Sequence, residues 1–273
     1  MRVLLATDPS TPDWPNEDFA AVAPDVAVLL DGAGTPGGRE SGCAHGVAWF
    51  ARTLGGLVTA GACDAAVPLP EVLGTGIEQV SQLHANSCDL SHPGTPSATV
   101  IITRRQHDVL EYLVLCDSIL LLQPKEGEPE IVSDTRLDDL SARLRPGYRD
   151  LPAGSPERGA GRQDYLSQLD AARNKPGGYW VAATDPQAAR QAITGFEPLT
   201  DLASVALLSD GAGRIAERYR QATWAQISAV LTGHGPAELI HRVRATEAAD
   251  PDGQRWPRGK LRDDATAIYW PVG

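Results

Sequence analysis

Positive charge is in short supply in this sequence: 24 Lys and Arg stand against 35 Asp and Glu, a formal net charge of −11 with a pI near 5.0. A general nucleic-acid binder carries a basic surface, so that class is set aside, although a phosphorylated substrate is admissible if cations sit in its site. No apolar run approaches the ~20 residues of a membrane-spanning helix. Val3-Leu-Leu-Ala6 is too short for the core of a signal peptide. The expectation is a cytoplasmic protein with neither membrane nor nucleic acid as partner. Lysine is confined to Lys125, Lys175 and Lys260, with arginine supplying the other basic side chains; such a bias is expected of GC-rich bacterial coding and says nothing of mechanism. The four cysteines, Cys43, Cys63, Cys88 and Cys116, match neither a zinc spacing nor a compact disulfide framework. They read as reduced core thiols. The six histidines are scattered, and His45 reads as a packing or solvent-facing residue. Without a Gly-x-Ser-x-Gly elbow or a Cys-His signature, covalent acyl and thiol chemistry have no candidate nucleophile.

What is present is ordinary globular composition, 42% hydrophobic and 22% charged over 273 residues. No linker divides the chain, so residues 1–273 read as one domain. Period-2 and apolar runs predict strands at Met1–Asp8, Phe19–Val22, Val26–Leu30, Ala98–Thr103, Glu111–Leu115, Ser118–Leu122, Glu130–Ser133, Tyr179–Ala183, Val205–Leu208 and Ala265–Trp270. Gln106-His-Asp108 is a hairpin connection. Helical spacing predicts helices over Glu40–Val58, Leu69–Ala85, Leu137–Leu144, Pro186–Ile193, Gly213–Val230 and Pro236–Ala249. Residues 146–178, rich in Gly, Pro and Arg, form an excursion with a helix at Tyr165–Arg173, of the kind that serves as a lid. Hairpin strands with helices in pairs between them favour an α+β layered domain over βαβ alternation.

The stretch Val26-Ala-Val-Leu-Leu-Asp-Gly-Ala-Gly34 organises this pattern. A buried strand ends on an aspartate, and two later stretches repeat the arrangement: Val205-Ala-Leu-Leu-Ser-Asp-Gly-Ala-Gly213, and Asp263-Asp264 before Ala265–Trp270. An isolated ionised carboxylate beside buried surface costs several kcal/mol, roughly, unless it is paired or metal-bound. Asp31, Asp210 and Asp263 are therefore candidate ligands for hard cations, Mg2+ or Mn2+. Asp31 has two oxygens with which to bridge two ions, and the Gly32 carbonyl can add a further ligand. Two such ions activate a shared water for phosphoryl displacement. The competing readings are a plain Asp-Gly turn and a dinucleotide loop. Gly32-Ala-Gly34-Thr-Pro-Gly37 does fit Gly-x-Gly-x-x-Gly, but the acidic residue expected about 20 positions on is missing, and a nicotinamide enzyme is the distant alternative.

Set in order, six motifs resemble the metal-dependent protein phosphatases, the PPM or type 2C family, through nearly the whole chain. They are Asn16-Glu17-Asp18, Asp31-Gly-Ala-Gly34, Gly94-Thr-Pro-Ser-Ala-Thr99, Cys116-Asp117-Ser118, Ser209-Asp210-Gly211 and Asp263-Asp-Ala-Thr266. The resemblance implies a four-layer α-β-β-α sandwich of two antiparallel sheets, and hydrolysis of phosphoserine, phosphothreonine or another phosphomonoester. It implies two Mn2+ or Mg2+ ions and a possible third. Asp31 and the Gly32 carbonyl would hold the ions together with Asp210 and Asp263; Glu17 and Asp18 would act through metal-bound waters; Asp117, with Asp210, would serve the third ion. Residues 146–178 would be the family's flap. Three departures stand out. Asp13 occupies the place of a phosphate-binding arginine, for which Arg39 is the substitute; Gly34-Thr-Pro-Gly-Gly38 replaces the second glycine pair; and Cys116 replaces a glycine. Asp13 keeps a second reading open, a weak or inactive regulatory module on the same fold.

Overall fold

The structure, a computed structural model, describes residues 2–34, 40–149 and 155–272. The described strands are β1 (Leu4–Asp8), β2 (Phe19–Ala23), β3 (Val26–Ala33), β4 (Ser97–Gln106), β5 (Val109–Leu115), β6 (Ile119–Pro124), β7 (Glu130–Val132), β8 (Ile193–Pro198), β9 (Leu202–Leu208) and β10 (Ala265–Pro271). They form two five-stranded sheets, ordered β1-β10-β9-β6-β7 and β2-β3-β4-β5-β8. Every pairing between them is antiparallel. The helices are α1 (Val47–Ala62), α2 (Leu69–His84), α3 (Arg136–Leu144), α4 (Pro146–Arg149), α5 (Pro156–Ala172), α6 (Asp210–Glu217), α7 (Trp224–His234) and α8 (Pro236–Ala248).

The apolar runs of the central strands are continuous because both faces of each sheet are covered. Along β3, Ala27 and Leu29 face the second sheet, meeting Ile101, Leu207 and Ile268. Val28 and Leu30 face outward onto Phe50 and Leu54 of α1 and Leu73 and Ile77 of α2. On the opposite side, α6, α7 and α8 cover the other sheet through Ile215, Ile227, Leu231, Leu239 and Val243 against Ile119, Leu208 and Ala267. The result is the expected α-β-β-α sandwich. The period of two has a further consequence: Asp31 lies in step with Ala27 and Leu29, and so falls at the end of the gap between the sheets.

Several local expectations need correction. Residues 179–183 are no sheet strand; they lie beside the start of β4, joined by the reciprocal Ala98–Ala182 backbone bonds of 2.8 and 3.0 Å. The helix expected over 186–193 is a short 3-10 turn, Pro186–Gln191, and Ile193 opens β8, an edge strand on β5. The expected Gly213–Val230 helix is two: α6 ends before Arg220 at φ 52°, and α7 restarts on a capping box of Thr223 and Gln226. α1 begins at Val47, not Glu40, after Gly46 at φ 80°. The hairpin at Gln106-His-Asp108 stands as expected, with Gln106 opposite Val109 and His107 at φ 57°. With no βαβ crossover in either sheet, Gly32-Ala-Gly34 does not open a dinucleotide-binding unit. No helix among the described residues is long and apolar enough to cross a membrane.

Candidate metal centre

Three chain segments deliver carboxylates to one end of the inter-sheet gap. β3 carries Asp31 two residues before its end, and the Asp31 backbone N–H donates to the Thr99 hydroxyl on β4 at 3.3 Å. Thr99 is in turn hydrogen-bonded to the buried Ser118 hydroxyl. The facing sheet supplies Asp210, the first residue of α6, and its backbone N–H donates to Asp31 Oδ2 at 3.1 Å. A helix N-terminus presents unpartnered N–H groups to an anion, which favours this contact. The strand leading into β10 supplies Asp263 and Asp264. Asp264 is structural: it accepts from the Ser10 N–H at 2.6 Å and the Glu17 N–H at 2.7 Å, folding the 10–17 loop over the sheet end.

Glu17, Asp31, Gly32, Asp117, Asp210 and Asp263 all line one cleft of about 1050 Å3. Asp18 sits beneath it, 6% exposed, and neither of its carboxylate oxygens has a hydrogen-bond partner among the described residues. Burial pushes its carboxyl up to about 7; the nearby Thr266 and Ser209 hydroxyls oppose the shift, and the charges of Asp264 and Asp210 add to it. Asp31 is held well above the ordinary carboxylate range by burial, then by Asp18, Asp210 and Asp263. Asp117 is pushed up to about 7 by burial and by Asp210, and Glu17 is raised by burial, against the opposing charge of Lys260. Carboxyl groups arranged to repel one another in this way lower their free energy by gaining protons or cations.

The donor set fits a hard divalent ion. It consists of carboxylate oxygens, with Gly32 lining the same cleft and the buried Asp18 beside them. Gly32 also fits: a Cβ there would overlap the Glu17 carbonyl oxygen and crowd Val47, so only glycine lets the acidic 16–18 segment approach the end of β3. Asp263 is more committed. It is ion-paired to Arg214 from α6, and it accepts from Lys260 Nζ at 2.8 Å. Arg214 is 6% exposed and stands 3.8 Å from Glu247 and 4.0 Å from Asp210. Burial works against its charge, but Asp210 and Asp263 outweigh that effect and raise its pKa.

Above the acidic floor the cleft is basic. Arg145, Arg158, Arg162, Arg218 and Lys260 line it together with Tyr148 and Tyr165. Five of these come from residues 145–165, between the end of α3 and the middle of α5. Of the two proposed substrate-side positions, Asp13 lies in an exposed turn before Trp14, which reaches the cleft, and Arg39 lies outside the described residues. Sequence reasoning missed Arg214 and Lys260; the only hint was their place, four residues after Asp210 and three before Asp263. It also missed that the cysteines converge with histidines. Cys43, His45, His84 and Cys88 meet in space, and only Cys116 of the four cysteines is a core thiol.

No protein-family model matches this chain, and no curated protein matches it. Solved structures do. The serine/threonine phosphatase PstP/Ppp of Mycobacterium tuberculosis superposes with a TM-score of 0.59 at 16% identity, covering 99% of this chain and 98% of that one. A catalytic domain of PstP in complex with two manganese ions matches at 0.56 and 17%, with 98% and 96% covered. The PPM Ser-Thr phosphatase MsPP of Mycobacterium smegmatis, in complex with cacodylate, matches at 0.59 and 16%, with 100% and 99% covered.

Proposed function

We propose, from the premise that this chain has the fold of the bacterial PPM-type serine/threonine phosphatases, that it is a divalent-metal-dependent phosphatase acting on phosphoserine or phosphothreonine. The observation that carries the proposal is the convergence of Asp31, Asp210 and Asp263 on one cleft, beside the buried Asp18 carboxylate. Asp31, Asp210 and the Gly32 carbonyl would hold Mn2+ or Mg2+, with Asp263 completing the set and Glu17, Asp18 and Asp117 acting around it. Such ions, when bound, supply charge neutralisation on a phosphoryl oxygen and a water acidic enough to attack at neutral pH.

The chain's own residues account for the remainder. Thr99 and Ser118 fix the end of β3, so the Asp31 carboxylate is aimed rather than mobile. The α6 N-terminus orients Asp210 against it. Arg145, Arg158, Arg162 and Arg218 surround the mouth of the cleft with charge that attracts a phosphoryl dianion. In this reading the arginine missing at position 13 is replaced from the opposite wall, and residues 146–178 act as a flap that brings Arg158 and Arg162 to the substrate. The cleft's charge supports a phosphomonoester substrate: acidic residues for cations beside basic ones for phosphate.

The test is Mn2+-dependent hydrolysis of a phosphothreonine peptide and of an aryl phosphate. Asp210→Asn should lower kcat by ~100-fold or more, at least the loss typical of disturbing a metal ligand's supporting residues. Activity that survives chelation, or that survives Asp210→Asn, would defeat the proposal. One observation favours a second reading, a weakly active or regulatory module: Arg214 and Lys260 already neutralise Asp263. Under that reading the wild-type chain binds phosphopeptide without turning it over.

A further inference from the structure

Beside the N-terminus of α1 and the C-terminus of α2, a second group of ligating side chains converges. Cys43 and His45 belong to the segment between β3 and α1. His84 is the last residue of α2, and Cys88 follows it by one turn. One ligand atom from each lies within 4.8 Å of all the others. The two sulfurs are 3.4 Å apart, Cys43 Sγ is 3.5 Å from His84 Nδ1 and 3.9 Å from His45 Nδ1, and Cys88 Sγ is 3.3 Å from His45 Nδ1. Zinc bonds of ~2.3 Å to sulfur and ~2.0–2.1 Å to nitrogen, set tetrahedrally, require ligand–ligand edges of about 3.3–3.8 Å. The four measured edges fall on or beside that range.

We propose that Cys43, His45, His84 and Cys88 form a tetrahedral site for one zinc-class divalent ion, separate from the carboxylate centre. Two thiols and two imidazoles with no oxygen donor select a softer cation than the carboxylates do. A Cys43–Cys88 disulfide explains the group less well. The sulfurs stand well beyond a bond of about 2.05 Å, and a disulfide leaves both histidines without a reason to turn Nδ1 toward them. His84 supplies an independent observation. It is 1% exposed, and its only polar side-chain partner among the described residues is Cys43 Sγ. A buried imidazole so poorly partnered is costly, and coordination through Nδ1 gives one of its two nitrogens a strong partner and leaves the proton on Nε2. The surroundings are already shaped for the site. His45 stacks on Trp49 at 4.3 Å, and Trp49 also packs on His84 at 5.2 Å. The Ser41 hydroxyl donates to the Cys43 carbonyl at 3.1 Å, and the Asp89 N–H to the Gly42 carbonyl at 2.8 Å.

The role this assigns is structural. The clip ties the segment after β3 to the end of α2. Ser41, Gly46 and Val47 of that segment line the same cleft as Asp31 and Gly32. Binding there fixes one wall of the cleft without contributing to its floor.

The experiment is elemental analysis and Co2+ substitution of the full chain, purified with a thiol reductant. It is carried out in the wild type and in an Asp31→Asn/Asp210→Asn variant that removes the hard-oxygen ligands. About one zinc per chain is expected in both, together with a Co2+ form showing thiolate-to-cobalt absorption and a change in Trp49 fluorescence on loading. Cys43→Ser with Cys88→Ser should abolish all three, and His45→Ala, at an exposed position, should weaken them. Cys63→Ser, outside the group, should change nothing. The proposal is overturned if reduced wild-type protein takes up neither Zn2+ nor Co2+, if the metal persists in the double-cysteine variant, or if it departs with Asp31 and Asp210. A Cys43–Cys88 disulfide that survives reduction would overturn it equally.

Discussion

Cys116 adopts φ 68°, in the left-handed region where a side chain is strained by about 1–2 kcal/mol. A small side chain tolerates this better than a branched one. Cys116→Gly should therefore leave the unfolding free energy within about 1 kcal/mol of wild type, strain relief offsetting lost burial, whereas Cys116→Val should lose about 2 kcal/mol or more. Urea titration measures both. Gly211 is constrained differently: a Cβ there would overlap the Asp264 carbonyl oxygen, the point where α6 meets the approach to β10. Arg214 offers a residue-scale test of the metal centre. Its guanidinium competes with any ion for Asp263, so Arg214→Met should raise Mn2+ affinity about tenfold, or ~1.4 kcal/mol, as read by titration calorimetry. Unchanged affinity would place Asp263 outside the ligand set. Of these residues, the sequence made Asp31, Asp210 and Asp263 visible, because acids ending apolar runs are anomalous. Arg214 was not visible, since an arginine one turn into a helix looks like a solvated face until burial is known.

At the scale of elements, α5 shows why composition misleads. Residues 156–172 lack an apolar stripe, and none of them is buried, so only a short helix at Tyr165–Arg173 was expected. The helix is longer because its start is well specified: Ser155 accepts from the Arg158 N–H at 3.1 Å, Pro156 occupies the first turn, and Glu157 follows. Its contacts are polar and aromatic, with the Tyr165 hydroxyl 2.7 Å from the Ser141 hydroxyl and its ring 5.3 Å from Tyr148. An element so placed, carrying Arg158 and Arg162 on the cleft wall, is suited to substrate contact. Arg158→Ala with Arg162→Ala should raise KM for a phosphopeptide about tenfold while kcat changes less than threefold. Equal losses in both constants would assign these arginines to the chemical step instead. β8 was missed for the opposite reason. As an edge strand with a mostly exposed pattern, it carries no alternation from which burial can be read, and its pairing with β5 supplies what its own sequence does not.

Across the whole molecule, the acidic centre couples stability to pH. Asp18 and Asp117 are pushed up to about 7, and Asp31 is held well above the ordinary range. Each of these carboxyls therefore holds its proton more tightly in the folded chain than in the unfolded one. Their contribution is fully present below the unfolded value of 3.8 and is lost as pH rises through the folded values. The metal-free protein should melt at progressively lower temperature from about pH 4 to about pH 8, and Mn2+ should restore more of the loss at pH 8 than at pH 5, because protons and cations compete for the same oxygens. Thermal melts with chelator or Mn2+ across that range check this; a flat profile would contradict it. The layered α+β architecture was legible in the chain itself, because sheets covered on both faces write uninterrupted apolar runs and the hairpin at His107 leaves no room for a crossover helix. The acidic motifs were legible too, as charges set where only pairing or a cation makes them affordable. What only the tertiary structure decided was which side chains share a volume. The Arg214–Asp263 pair joins residues 49 positions apart, and Cys43 meets Cys88 across two helices. Local spacing cannot encode such meetings, because they are fixed by how α1, α2 and α6 pack on their sheets.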